Sequence, residues 1–218
     1  MIRRIQFSLF AIFFSSCSVA QVPPAQDQIG GAVLAAPAEA QEGAAVMGYD
    51  KPGSVVQLRE GTNEFVCLAD NPAEDGFSVA CYHKDLEPYM ARGRELRAGG
   101  VGENENLETR AAEVEDGTLA WPTAPSSLYI RSGEEGAYDA ASGVASGTSL
   151  RYVVYMAYAT PESTGLSARP GAPGAPWIMA GGTFRAHLMI IPPAPPTDED
   201  SDDIDSDDDD SDYDSDDE

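Results

Sequence analysis

The chain has 218 residues, 37 Asp or Glu against 13 Lys or Arg, and a net charge of −24. That length allows one domain with extensions. That charge excludes nucleic acid and anionic lipid surfaces as partners, because like charges repel. Fifteen of the acids fall in residues 197–218, which hold no base, so residues 21–196 keep 22 acids against 11 bases.

Arg3 and Arg4 lead an apolar run from Ile5 to Phe14. Ten helical residues reach only about 15 Å, half of a bilayer core, which is the length of a signal peptide rather than a membrane span. Two exits compete. Ser18-Val19-Ala20 is a small-x-small cleavage site that starts the mature chain at Gln21. Phe14-Ser15-Ser16-Cys17 is a degenerate lipoprotein box that would leave a lipid anchor on Cys17. Both readings export the protein, to the periplasm, the outer membrane or the medium. No other stretch has the roughly 18 consecutive apolar residues that a transmembrane helix needs.

Residues 21–47 read as a linker rich in Ala, Gln, Pro and Gly, with too little apolar bulk to offset chain entropy. A globular α+β domain is expected over 48–192, a mostly antiparallel sheet with one principal helix, flanked by disordered ends. Val55–Leu58 and Glu64–Leu68 are expected to pair as a hairpin around Arg59–Asn63. Phe77–Cys81 makes a third strand. A helix follows from Asp85 as cap, carries Leu86, Tyr89, Met90, Gly93 and Leu96 on one face, and stops at Gly99-Gly100. Residues 100–120 are polar and show no clear period. Ser127–Arg131, Tyr152–Tyr158 and Leu188–Ile191 complete the strands, the second apolar on both faces and therefore central.

Chemistry-bearing residues are few. Cys67 and Cys81 form an even pair in an oxidising compartment, so a disulfide is expected. It closes a loop of about 15 residues and stabilises by about 3 kcal/mol in the chain-entropy account. His83, Glu87 and His187 are weak site candidates, with Asp70 as a further carboxylate. Their spacing matches no metal signature, so no metal centre and no cofactor is expected. Residues 160–183 form a Pro/Gly-rich loop between two core strands, long enough to suggest function, with Arg169 and Trp177 as binding anchors. The tail repeats Asp-Ser-Asp-Asp but lacks the central Gly and terminal Glu of an EF-hand loop, so it takes divalent cations only weakly.

The runs Cys67-Leu68-Ala69-Asp70, Ala80-Cys81-Tyr82-His83, Leu86–Leu96, Tyr158–Leu166 and Pro173-Gly174-Ala175-Pro176-Trp177 resemble an uncharacterised family of exported bacterial proteins. The resemblance covers most of the body and neither end. It implies a single domain and brings no activity. The expected function is therefore an exported, non-catalytic envelope or secreted module of unknown ligand. The alternatives are a hydrolase-like enzyme with its site under the 160–183 loop, or weak divalent-cation binding by the tail.

Overall fold

The structure, a computed structural model, describes residues 21–193. Residues 1–20, where a signal segment and Cys17 are expected, and residues 194–218, which include the acidic tail, lie outside the described residues. Among the described residues ten strands are present: β1 Ala45–Lys51, β2 Ser54–Arg59, β3 Phe65–Leu68, β4 Phe77–His83, β5 Ser126–Gly133, β6 Tyr138–Asp139, β7 Val144–Ala145, β8 Ser149–Tyr155, β9 Trp177–Met179 and β10 His187–Ile190. Eight of them make one sheet in the order β2-β1-β3-β4-β5-β8-β10-β9, and β6 and β7 make a small hairpin. Every pairing in the large sheet is antiparallel except β1 with β3. The helices are α1 Ala25–Ala32, α2 Ala38–Gln41, α3 Glu87–Ala98, α4 Glu103–Glu115 and α5 Pro161–Thr164. A mostly antiparallel α+β architecture is thus present.

The expected hairpin between 55–58 and 64–68 does not form. β2 instead folds back on β1 through Pro52-Gly53, with Lys51 opposite Ser54 and Gly53 at φ 75°. Pro first and a left-handed Gly second is the arrangement of a type II turn. The chain then crosses the start of β1, where the Thr62 and Asn63 amides both donate to the Gly43 carbonyl. That crossing delivers β3 to the other side of β1, parallel to it.

Successive strand residues face opposite ways. On one face Val46, Cys67, Phe77, Val79 and Cys81 are buried beneath Ala32, Ala35, Ala36 and Ala40. On the other, Val66, Tyr82, Leu128 and Val153 are buried with Leu86, against Met90, Trp121 and Tyr155. Residues 25–41 are therefore not a linker. α1, a 3-10 turn at Val33–Ala35 and α2 form a layer over the sheet, and the core begins there instead of at residue 48. Alanine makes this possible: a helix face of methyl groups approaches a sheet closely and buries backbone as well as side chain.

Two further expectations change. The polar stretch after Gly100 contains α4, a second long helix. It is tied to α3 by a bidentate Arg92–Glu113 pair, by Asn106 Nδ2 donating to the Gly93 carbonyl (2.8 Å), and by the Arg110 guanidinium over the Tyr89 ring (4.1 Å). The cap of the α3 region is His83 rather than Asp85: His83 Nδ1 accepts from the Asp85 amide, and a 3-10 turn Lys84–Leu86 leads into the helix. No described helix is long and apolar enough to cross a membrane.

Cys67 and Cys81 are bonded, as expected. They sit directly opposite each other on β3 and β4, fully buried, with Cys81 Sγ 3.3 Å from the Ala32 carbonyl oxygen.

Candidate acidic cleft

A concavity of about 390 Å³ opens where α1 meets the start of β4. Three separate segments supply its walls. The first is Gln21–Ala32. The second is the loop 70–77 between β3 and β4. The third is the turn 135–140 that carries Tyr138.

Gln28 fixes the first wall. It is buried, its Oε1 accepts from the Tyr49 amide (2.8 Å), and its Nε2 donates to the carbonyls of Tyr49 (2.9 Å) and Pro23 (2.8 Å). One side chain thereby clamps the residues before α1 to β1. Phe77 and Tyr138 form the apolar wall, nearly parallel at 18° with centroids 5.9 Å apart. Tyr138 lies directly on α1 because Gly30 and Gly31 have no side chains. A Cβ on Gly30 would stand 2.5 Å from the Tyr138 hydroxyl, and one on Gly31 would stand 3.2 Å from its ring.

Four carboxylates line the cleft: Asp27, Asp70, Glu74 and Glu135. Asp70 Oδ1 accepts from the Ser78 amide (2.7 Å), and Glu135 Oε2 accepts from the Gly76 amide (3.1 Å). Asn71 Nδ2 donates to Glu74 Oε1 (2.9 Å). Burial pushes the Asp70 carboxyl above its ordinary value. The Ser78 bond opposes that rise, while repulsion from Glu135 and Glu74 adds to it. Burial, then the charges of Asp27 and Asp139, raise the Tyr138 phenol in the same way. No ion pair satisfies any of the four carboxylates among the described residues. Several like charges beside an aromatic wall stabilise a cation, through Coulomb attraction and through the ring faces.

The residues singled out in the sequence do not gather at one place. His83 ends β4 and His187 begins β10, with β5 and β8 between them, about 14 Å of sheet. His83 lies near Glu64 and Asp85, while His187 Nδ1 donates to the Arg185 carbonyl (2.8 Å). Glu87 is committed elsewhere. It accepts from the Tyr82 hydroxyl (2.6 Å) and from Arg94 Nη2 (2.5 Å), on the α3 side of the sheet. Burial raises the Tyr82 phenol far above its usual value, so this trio is a neutral hydroxyl held by an ion pair. Asp70, by contrast, does face a cleft. Among the described residues, no group of three or more His, Cys, Asp or Glu side chains is arranged to hold a metal ion.

The segment 160–183 is folded rather than open. Thr160 and Ser163 form a reciprocal capping box on α5. Trp177 lies in β9 opposite Met189, and Ser167 bridges it on the outer side. The shallow depression there is lined by Pro161, Ala168, Pro170 and residues 177–181, with no ionisable side chain. Arg169 is exposed, and among the described residues only its backbone amide is bonded, to Ser167 Oγ.

The cleft escaped sequence reading because its carboxylates come from residues 27, 70, 74 and 135. One legible signal existed: Pro24 and Pro37 stand immediately before α1 and α2, where proline commonly opens a helix. Comparison of the chain with protein-family models, with curated proteins and with solved structures finds no match.

Proposed function

We propose that this is an exported, non-catalytic binding module whose acidic cleft takes a basic ligand with an apolar stem, such as an amine or a lysine-like side chain. The carrying observation is the combination of four carboxylates, without an ion pair among the described residues, with the stacked Phe77–Tyr138 wall in one pocket. The carboxylates attract the cationic head, and the rings accept the methylenes beside it. The buried disulfide fits an oxidising compartment, and the Arg-led apolar start supplies the export signal. The resemblance to uncharacterised exported bacterial proteins, carried by 67–96 and 158–177, agrees with that destination.

Calorimetric titration tests the reading, with putrescine and a blocked lysine as probes and a blocked glutamate as control. The cationic probes bind and the glutamate does not. Glu135→Gln and Tyr138→Ala each weaken the cationic probes about tenfold, near 1.4 kcal/mol. Equal or absent binding of all three probes overturns the proposal. A hydrolase-like activity is the second reading, in this cleft rather than under the 160–183 loop, favoured by the burial and the repulsion from Glu135 and Glu74 that raise the Asp70 carboxyl above its ordinary value. Turnover of an ester or glycoside panel that Asp70→Asn abolishes would establish it.

A further inference from the structure

Four large apolar side chains are exposed among the described residues, and three of them, Tyr158, Met179 and Ile191, belong to one end of the sheet. Met179 ends β9, Ile191 follows β10, and Tyr158 lies in the turn after β8. Tyr158 is the most exposed of them, at 65%. Its backbone is left-handed, φ 63°, and so is that of Ala180, φ 51°, in the loop between β9 and β10. A Cβ makes that conformation unfavourable. Hydrogen bonds between the two loops hold it in place. The Tyr158 amide donates to the Thr183 carbonyl (2.8 Å), the Gly182 amide to the Ala159 carbonyl (2.9 Å), and the Thr183 hydroxyl to the Ala180 carbonyl (2.8 Å). A braced turn thus presents a large ring outward. Exposed apolar groups gathered in this way mark an interaction surface.

The apolar depression beside β9, about 490 Å³, adjoins the patch through Pro161, Met179 and Ala180. The outer edge of β9 is already taken at its centre, where the Ile178 amide donates to the Ser167 carbonyl (2.8 Å). The surface therefore offers side chains rather than an open strand edge. Charge selects what covers it. Residues 156–184 hold one acid, Glu162, and one base, Arg169, in a chain of net charge −24. Both are exposed, and neither has an ion pair among the described residues. They flank the depression: Glu162 follows Pro161, and Arg169 stands between Ala168 and Pro170. Two copies of this chain repel each other through their acidic surfaces, and this neutral patch lets them approach. A twofold axis also makes it self-complementary, because Glu162 of each copy then meets the partner's Arg169.

We propose that this end of the sheet is the interface of a homodimer. The two copies pair across a twofold axis, with Tyr158 and Met179 of each against the depression of the other and Glu162 of each beside the partner's Arg169. The pairing goes beyond the acidic cleft and leaves it open, since the cleft lies beside β4, with β5, β8 and β10 between it and β9. A patch of a few side chains makes a weak, reversible pair, with a dissociation constant on the order of 10–100 µM.

Sedimentation velocity of the full chain tests this in about 0.15 M NaCl, where screening beyond about 8 Å removes long-range repulsion and spares a contact pair. The wild type passes from monomer to dimer between about 1 µM and about 1 mM. Glu162→Arg and Arg169→Glu each weaken the dimer about tenfold or more, because like charges then face each other twice across the axis. An equimolar mixture of the two variants associates as tightly as wild type, since each contact again joins opposite charges. Tyr158→Asn weakens the dimer about tenfold or more as well, and Asn suits a left-handed backbone better than Tyr, so the turn is kept. Melting curves that match wild type show that each variant is folded. A wild type that stays monomeric at about 1 mM overturns the proposal. So does a dimer that either charge reversal or Tyr158→Asn leaves unchanged, or a mixture no tighter than its two components.

Discussion

Asp70 sits half-buried beside Glu74 and Glu135, so its carboxylate forms against both desolvation and repulsion, with the Ser78 amide and, more weakly, the Asn71 amide in its favour. Its folded pKa is therefore above the unfolded value near 3.9. Below that value the group is protonated in both states and costs nothing. As pH rises through the folded pKa, the unfolded chain ionises first, and stability is lost. Asp70→Asn removes that loss and keeps an oxygen for the Ser78 amide. Melting curves should place the variant above wild type at pH 7, by about 0.5 kcal/mol once its partial exposure is discounted, roughly 1–2 °C. The gap should close at a pH of about 3.5. A variant less stable than wild type at pH 7 would mean that the Ser78–carboxylate bond outweighs the burial of charge. Glu87 makes the contrast at this scale. Its partners Tyr82 and Arg94 consume both oxygens, so the residue that looked like a metal or acid–base candidate holds the α3 side of the core together.

Elements whose cores are built from large side chains were legible, and those built from small ones were not. β4, β5 and β10 alternate or cluster Phe, Val, Tyr, Leu and Ile, and their expected and observed spans overlap. In α1 and its neighbours the buried positions are Gln28, Gly31, Ala32, Ala35, Ala36 and Ala40. That spacing is helical, but methyl groups leave almost no hydropathy signal. In α4 the packing face is Asn106, Arg110 and Glu113, polar residues that only a partner helix makes sense of. The hairpin failed for another reason: Arg59–Asn63 has turn chemistry, but Pro52-Gly53 also reverses the chain, and β2 pairs with β1 across it. The covering role of α1–α2 has a measurable consequence. In the intact protein the fully buried Cys67–Cys81 bond is shielded by Ala32 and Ala35. Native-state reduction with dithiothreitol, followed by thiol labelling, should be slow and should track global unfolding. Removing residues 21–44 strips that layer, and the same bond should then be reduced at least about tenfold faster, as global unfolding no longer limits access. Equal rates with and without the segment would show that the helices do not seal the sheet.

At the scale of the whole molecule, charge sets the balance. Residues 21–196 carry twice as many acids as bases, and residues 197–218 add fifteen acids with only Ile204 and Tyr213 as large apolar side chains. The ion pairs that offset this repulsion are few among the described residues. Several are exposed, such as Lys84–Glu64, and contribute little. Net self-repulsion should therefore dominate the response to salt. The screening length falls from about 30 Å at 0.01 M to about 10 Å at 0.1 M, shorter than the molecule is wide. Raising NaCl across that range should raise the melting temperature of the full chain by a few degrees. A chain ending at residue 196 should respond less, because it lacks fifteen of the repelling charges. At about 1 M salt the screening length is near 3 Å, and the two chains should melt together, since the tail offers only two large apolar side chains to pack. Two outcomes decide against this account. A melting temperature that falls with salt would mean that ion pairs outweigh repulsion. A truncated chain that still melts many degrees lower at high salt would mean that Ile204 and Tyr213 pack against the body, and that the domain does not end where its charge pattern changes.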